Sequence, residues 1–97
     1  MLSSTHGHHQ QLTELLRNAF YLHQTGRLQE AENCCLKLCK SFPDQPDALH
    51  LLAIIHAQTK RFQTADDYFK QAIDAAPDSI EFLGNYDNSL LDLGLID

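Results

Sequence analysis

The sequence predicts an all-α fold made of helical hairpins, about two and a half of them in series. Three observations predict it: apolar residues recur at helical spacing, the chain repeats every 34 residues, and proline closes each full unit. Laying residues 12–45 over 46–79 gives nine identities in 34 positions. They are Leu15/Leu49, Ala19/Ala53, Gln24/Gln58, Thr25/Thr59, Arg27/Arg61, Gln29/Gln63, Ala31/Ala65, Pro43/Pro77 and Asp44/Asp78. Chance supplies about two or three at ordinary residue frequencies. A period of this length marks stacked supersecondary units that cannot bury their apolar faces alone.

The elements follow in order. Residues 1–11, "MLSSTHGHHQQ", are polar and are expected to form a flexible tail. Over 12–25, Leu15, Ala19 and Leu22 mark one helical face, and Gly26 supplies a left-handed turn residue without a Cβ penalty. From Leu28 to Phe42, Ala31, Cys35, Leu38 and Cys39 mark the face of a second helix, which Pro43 stops. The next unit repeats the plan with helices near 47–59 and 62–75. Its turn carries Lys60 where the first has glycine, and that turn is expected to cost slightly more. Residues 80–97 then read as the first helix of a third unit, through Leu83, Tyr86 and Leu90, with Gly94 at its turn.

The small residues carry the most information. Alanine at 19 and 31, and again at 53 and 65, lets two antiparallel helix backbones approach closely. Leu49, Leu52 and Phe69 fill the space around that contact.

The order Leu49-x2-Leu52-Ala53-x2-His56, then Ala65-x3-Phe69, Ala72 and Pro77, resembles the tetratricopeptide repeat. Leu15, Ala19, Leu22, Ala31, Cys35 and Pro43 resemble the same motif, which departs at Asn18 and Cys35. Asp87 departs from it in the third unit, where the family has a small residue. The resemblance covers 12–97, with repeats at 12–45 and 46–79 and a truncated third at 80–97, and it implies a short right-handed superhelical solenoid. The phrases "HQTGRLQEAE", "FPDQPDALHLLA" and "LGNYDNSLLDLG" are also similar to the N-terminal repeat arms of bacterial glycosyltransferase-like and sulfotransferase-like proteins. Because the third unit stops before its second helix, the natural protein is expected to continue past Asp97.

Charge and chemistry exclude several classes. The net charge is −6, and residues 64–97 hold eight carboxylates against the single cation Lys70. Such a half repels phosphate backbones, so nucleic acid is excluded as a partner. No apolar run approaches the ~18 residues of a membrane span, and no signal peptide precedes the repeats, so a cytoplasmic place is the default expectation. His6, His8 and His9 sit in the polar tail with no second ligand cluster at a fixed spacing. Cys34, Cys35 and Cys39 share one helix and read as reduced thiols. Cys35 and Cys39 face the core and Cys34 is partly accessible. Asp66 and Asp67, adjacent on a helix, read as a solvated face. The four glycines are isolated and form no phosphate loop. No catalytic, cofactor-binding or metal set is expected.

What remains is surface. In the tetratricopeptide family the first helices of successive repeats line a groove for a peptide or partner helix. Carried over by helical position, the resemblance places Leu16, Phe20, His23 and Gln24 there from the first repeat. It adds Asp47, His50, Ile54 and Gln58 from the second, and Glu81, Asn85, Asn88 and Leu91 from the third. The clamp that some members close on chaperone tails uses lysine and asparagine where this chain has Leu16 and Phe20, so that mode is not expected. The resemblance thus implies a non-catalytic protein-interaction scaffold. Its alternative is a substrate-selecting or dimerising arm of a larger transferase. The uncovered apolar residues of 80–97 further predict self-association through that segment.

Overall fold

The computed structural model describes residues 2–92, with the surroundings of side chains described over 10–88. Among the described residues there are five α-helices and no strand: α1 (Leu2–Gln24), α2 (Leu28–Ser41), α3 (Pro46–Gln58), α4 (Phe62–Ala75) and α5 (Ile80–Asp92). The fold is all-α and built of helical hairpins, as the periodicity predicts. It divides into two compact units, Met1–Pro43 and Asp44–Asp97.

One boundary differs from the sequence reading. The polar tail expected over 1–11 is helical from Leu2 onward, so α1 runs 23 residues. Between Leu2 and Leu12 there is no proline and only the single Gly7, and a helix already nucleated at Leu12–Gln24 extends through such residues at little cost per step. The side chains of His6, His8 and His9, and residues 93–97 with Gly94, lie outside the described residues.

In the first unit α1 packs on α2. Ala19, Ala31, Cys35 and Leu38 are fully buried there, and Leu22 nearly so. Cys39, expected in the core, is only half-buried. In the second unit α3 packs on α4 around Ala53, Ala65 and Phe69, with Ile54, Ala57, Tyr68 and Tyr86 against that cluster. Leu49, Leu51, Leu52, Ile55 and Ala72 complete its core.

The repeated Thr and Arg identities find their reason in the hairpin turns. Thr25 Oγ1 donates to the Tyr21 and Leu22 carbonyls at 3.0 and 3.1 Å. Thr59 Oγ1 donates to those of Ile55 and His56 at 2.9 and 3.2 Å. The next residue is left-handed in both turns, Gly26 at φ 80° and Lys60 at φ 64°. The amide of the following arginine then reaches back five residues, Arg27 N to Leu22 O at 2.9 Å and Arg61 N to His56 O at 2.8 Å. These bonds satisfy carbonyls that a helix end otherwise leaves open, in the manner of a Schellman cap. At the opposite ends, the Gln45 side chain accepts from Asp47 N and Ala48 N at 2.7 and 3.2 Å, with Pro46 opening α3. Ser79 Oγ accepts from Phe82 N at 3.2 Å and starts α5.

Two stability predictions follow from this packing. Ala53→Leu and Ala65→Leu force extra volume between α3 and α4 and are expected to cost about 1–3 kcal/mol each, whereas Ala57→Leu, only half-buried, costs much less. Chemical denaturation of the three variants checks this, and equal tolerance at all three sites rejects the packing. Lys60→Gly removes the Cβ strain of a left-handed turn and is expected to raise stability by up to about 1 kcal/mol, while Gly26→Lys lowers it. A lower midpoint for Lys60→Gly contradicts that account.

Candidate functional site

The second unit joins three helices through one connected set of side chains. His50 of α3 is 5% exposed and lies with its ring stacked on Phe82 of α5, centroids 4.2 Å apart and planes 21° apart. Its other neighbour is the edge of Phe69 of α4, at 6.0 Å and 67°. Its Nε2 is 3.1 Å from Nδ2 of Asn85; as the acceptor of that amide hydrogen, Nε2 is unprotonated. Phe69 in turn meets Tyr86 at 5.5 Å. The Tyr86 hydroxyl donates to Asp66 Oδ1 at 2.7 Å, and Lys70 Nζ lies 3.0 Å from Asp66 Oδ2.

The electrostatics follow from this packing. Burial holds the His50 imidazole below its ordinary value, against the pull of the Glu81 and Asp47 carboxylates. The Tyr86 hydrogen bond, with help from Lys70, holds the Asp66 carboxyl below its usual range. The same bond raises the Tyr86 phenol. In the first unit, burial and the neighbouring thiols push Cys35 up to about 12, and burial raises Cys39, so neither is poised as a thiolate. Cys34 Sγ donates to the Leu15 carbonyl at 3.4 Å and receives the Asn18 amide at 3.7 Å.

The groove residues inferred from the sequence sort into three kinds. On α3 and α5, Asp47, Gln58, Glu81 and Asn88 are exposed, and Ile54 and Asn85 are half-buried. His50 is the correction: it is packed between α3 and α5 and is closed to a ligand, because Phe82 covers its ring. On α1, Phe20 and Gln24 are exposed and Leu16 and His23 half-buried. The side chain of Leu91 lies outside the described residues. Asp66 is a second correction, since it is half-buried under Tyr86 and not part of a solvated face; Asp67 is exposed. The i,i+4 spacing of Asp66 to Lys70 was the available signal. Phe82, 5% exposed, is the residue of α5 that sequence reasoning did not single out.

Two of the open cavities among the described residues lie elsewhere. One of 390 Å³ is lined by Asp44, Leu49, Gln71, Asp74 and Ala75. The other, of 330 Å³, is lined by Leu15, Asn18, Leu22, Glu30, Asn33, Cys34 and Lys37. Among the described residues no group of His, Cys, Asp and Glu is placed to hold a metal ion, and no helix is long and apolar enough to cross a membrane.

With this geometry in place, the comparison with protein families bears on the second unit. Residues 46–79 match the family model of the tetratricopeptide repeat. The matched stretch comprises α3, the Thr59–Lys60 turn, α4 and the loop that leads into α5. No curated protein matches the chain. Tetratricopeptide repeats generally mediate protein–protein interaction. The matched stretch contains the small-residue contact of Ala53 and Ala65.

The buried histidine makes a pH prediction. His50 binds its proton more weakly when folded, so as pH falls below its ordinary value of 6.5 the unfolded state takes up the proton first and stability falls. Asp66 loses its proton below 3.8 and leaves this window clear. Denaturation midpoints between about pH 7.5 and about pH 5 should therefore fall more steeply for the native chain than for His50→Gln. Equal slopes would show that His50 titrates as if exposed.

Proposed function

We propose that the chain is a non-catalytic interaction scaffold that takes a peptide or a partner helix along the face made by α3 and α5. The observation that carries this reading is the pairing of first helices in the second unit. His50, Phe82 and Asn85 hold α3 beside α5 from within. Asp47 and Gln58 on one helix, and Glu81 and Asn88 on the other, are left outside. The repeat match over 46–79 supports it, since such repeats bind proteins. Packing within the unit takes up His50, Phe69 and Phe82, and the exposed side chains of α3 and α5 are what remains for recognition. The transferase-arm alternative locates catalysis in sequence other than these 97 residues, and no described residue favours it.

Panning the 97-residue chain against a displayed random-peptide library, then mapping an enriched peptide by amide chemical shifts, tests the proposal. Shifts concentrated over Asp47–Gln58 and Glu81–Asn88 are expected. A map confined to the outer side of α4, or a selection that enriches nothing, rejects it.

A further inference from the structure

The α3–α5 face has a charge of one sign. Helices α3 and α5 contain Asp47, Glu81, Asp87 and Asp92 and not one lysine or arginine. The cations of this unit lie elsewhere: Lys60 and Arg61 in the hairpin turn, where Arg61 Nε donates to Thr59 Oγ1 at 2.9 Å, and Lys70 on α4 against Asp66. Asp47 and Glu81 occupy the same place in their helices, the second residue of each, 34 residues apart. Asp47 stands one helical turn before His50 and Glu81 one turn before Asn85, and those two side chains meet at 3.1 Å, so both acids belong to the helix faces that meet at the α3–α5 seam. A helix dipole favours an acid in a first turn, but it sets no rule against cations farther along. Seven residues on from each acid stand Ile54 and Asn88, two helical turns along the same face and about 10 Å away. Ile54 is half-buried and apolar. The face therefore has an anionic end at Asp47 and Glu81 and an apolar step at Ile54.

We infer that the partner segment is cationic: a peptide or helix that sets a lysine or arginine between Asp47 and Glu81 and an apolar side chain against Ile54. This rests on the proposed reading of the face as a binding surface and adds the chemistry of what binds. Neither carboxylate has a cation of this chain on its own or the neighbouring first helix, so a partner's cation supplies the missing charge. An acidic segment meets only repulsion there. For a helical partner the cation and the apolar residue stand about seven positions apart, and for an extended one about three.

Three labelled synthetic peptides of one amphipathic helical design, with lysine, glutamine or glutamate at the position seven residues from a leucine, test this against the 97-residue chain. Fluorescence anisotropy at about 50 and about 300 mM NaCl gives affinities and their salt dependence, and amide shifts give the site. The lysine peptide is expected to bind roughly three- to tenfold more tightly than the glutamine peptide at low salt, with the gap closing at high salt, and the glutamate peptide most weakly. In the double variant Asp47→Asn/Glu81→Gln the lysine peptide should fall to the level of the glutamine one. The control Asp67→Asn/Asp78→Asn should leave it unchanged, circular dichroism first establishing that both variants are folded. If the glutamine peptide shifts the same α3 and α5 residues with equal affinity, the charge inference is overturned while the face remains a binding surface. If no peptide shifts those residues, both fall together.

Discussion

The hairpins depend on two alanines facing each other across the pair of helices. At Ala53 and Ala65 the side chains are small enough for α3 and α4 to approach backbone to backbone, and Phe69 then closes the space beside them. Ala19 and Ala31 are buried in the same positions of the first unit, 34 residues earlier. Close approach is unforgiving, because a packed interior has no room for an added methylene and no slack to move aside. That constraint also sets the turns. Two helices this close must reverse direction within a few residues, which requires a left-handed residue at Gly26 and Lys60 and a threonine hydroxyl to take up the carbonyls left open just before it.

The third helix of the second unit is held by different chemistry. Among the described residues, no small-residue contact brings α5 in. It is joined by an aromatic stack from Phe82 to His50, by the Asn85 amide on that ring, by Tyr86 against Phe69, and by the Tyr86 hydroxyl on Asp66. Each polar link is directional: the Asn85 amide needs an unprotonated His50 Nε2, and the Tyr86 bond is strongest to an ionised Asp66. On the other side, Leu83 is 42% exposed and Ile80 85% exposed, so α5 presents apolar surface that nothing among the described residues covers. Those two residues belong to the segment 80–97 through which the sequence predicts self-association; the side chains beyond Asn88 lie outside the described residues.

Much of this was legible in the sequence because close packing leaves a strict record. Alanine at 19, 31, 53 and 65, threonine at 25 and 59 and the turn at Gly26 recur at one spacing, and each recurrence corresponds to a contact or a cap in the structure. The start of α1 was not legible, since a polar stretch with one glycine satisfies a tail and a helix extension equally well. His50 was misread as a ligand-facing group because helical position tells which face a residue shares and not what covers it from the next helix; Phe82 does the covering. Asp66 was misread for a related reason. Its pairing with Lys70 lies along one helix, but its short bond to Tyr86 spans 20 residues of sequence and leaves no periodic trace.

The same asymmetry separates fold from function. The hairpin contact tolerates one size of side chain, so it repeats and can be recognised, and residues 46–79 match a known repeat for that reason. The outer positions of α3 and α5 carry no such demand. Asp47, Glu81 and Asn88 touch solvent, and packing sets no side-chain size there, since surface substitutions cost little. Freedom from the fold is what makes those positions available for recognition. Packing leaves their identity open, so charge sign and the placement of apolar steps are the terms in which this face can be read.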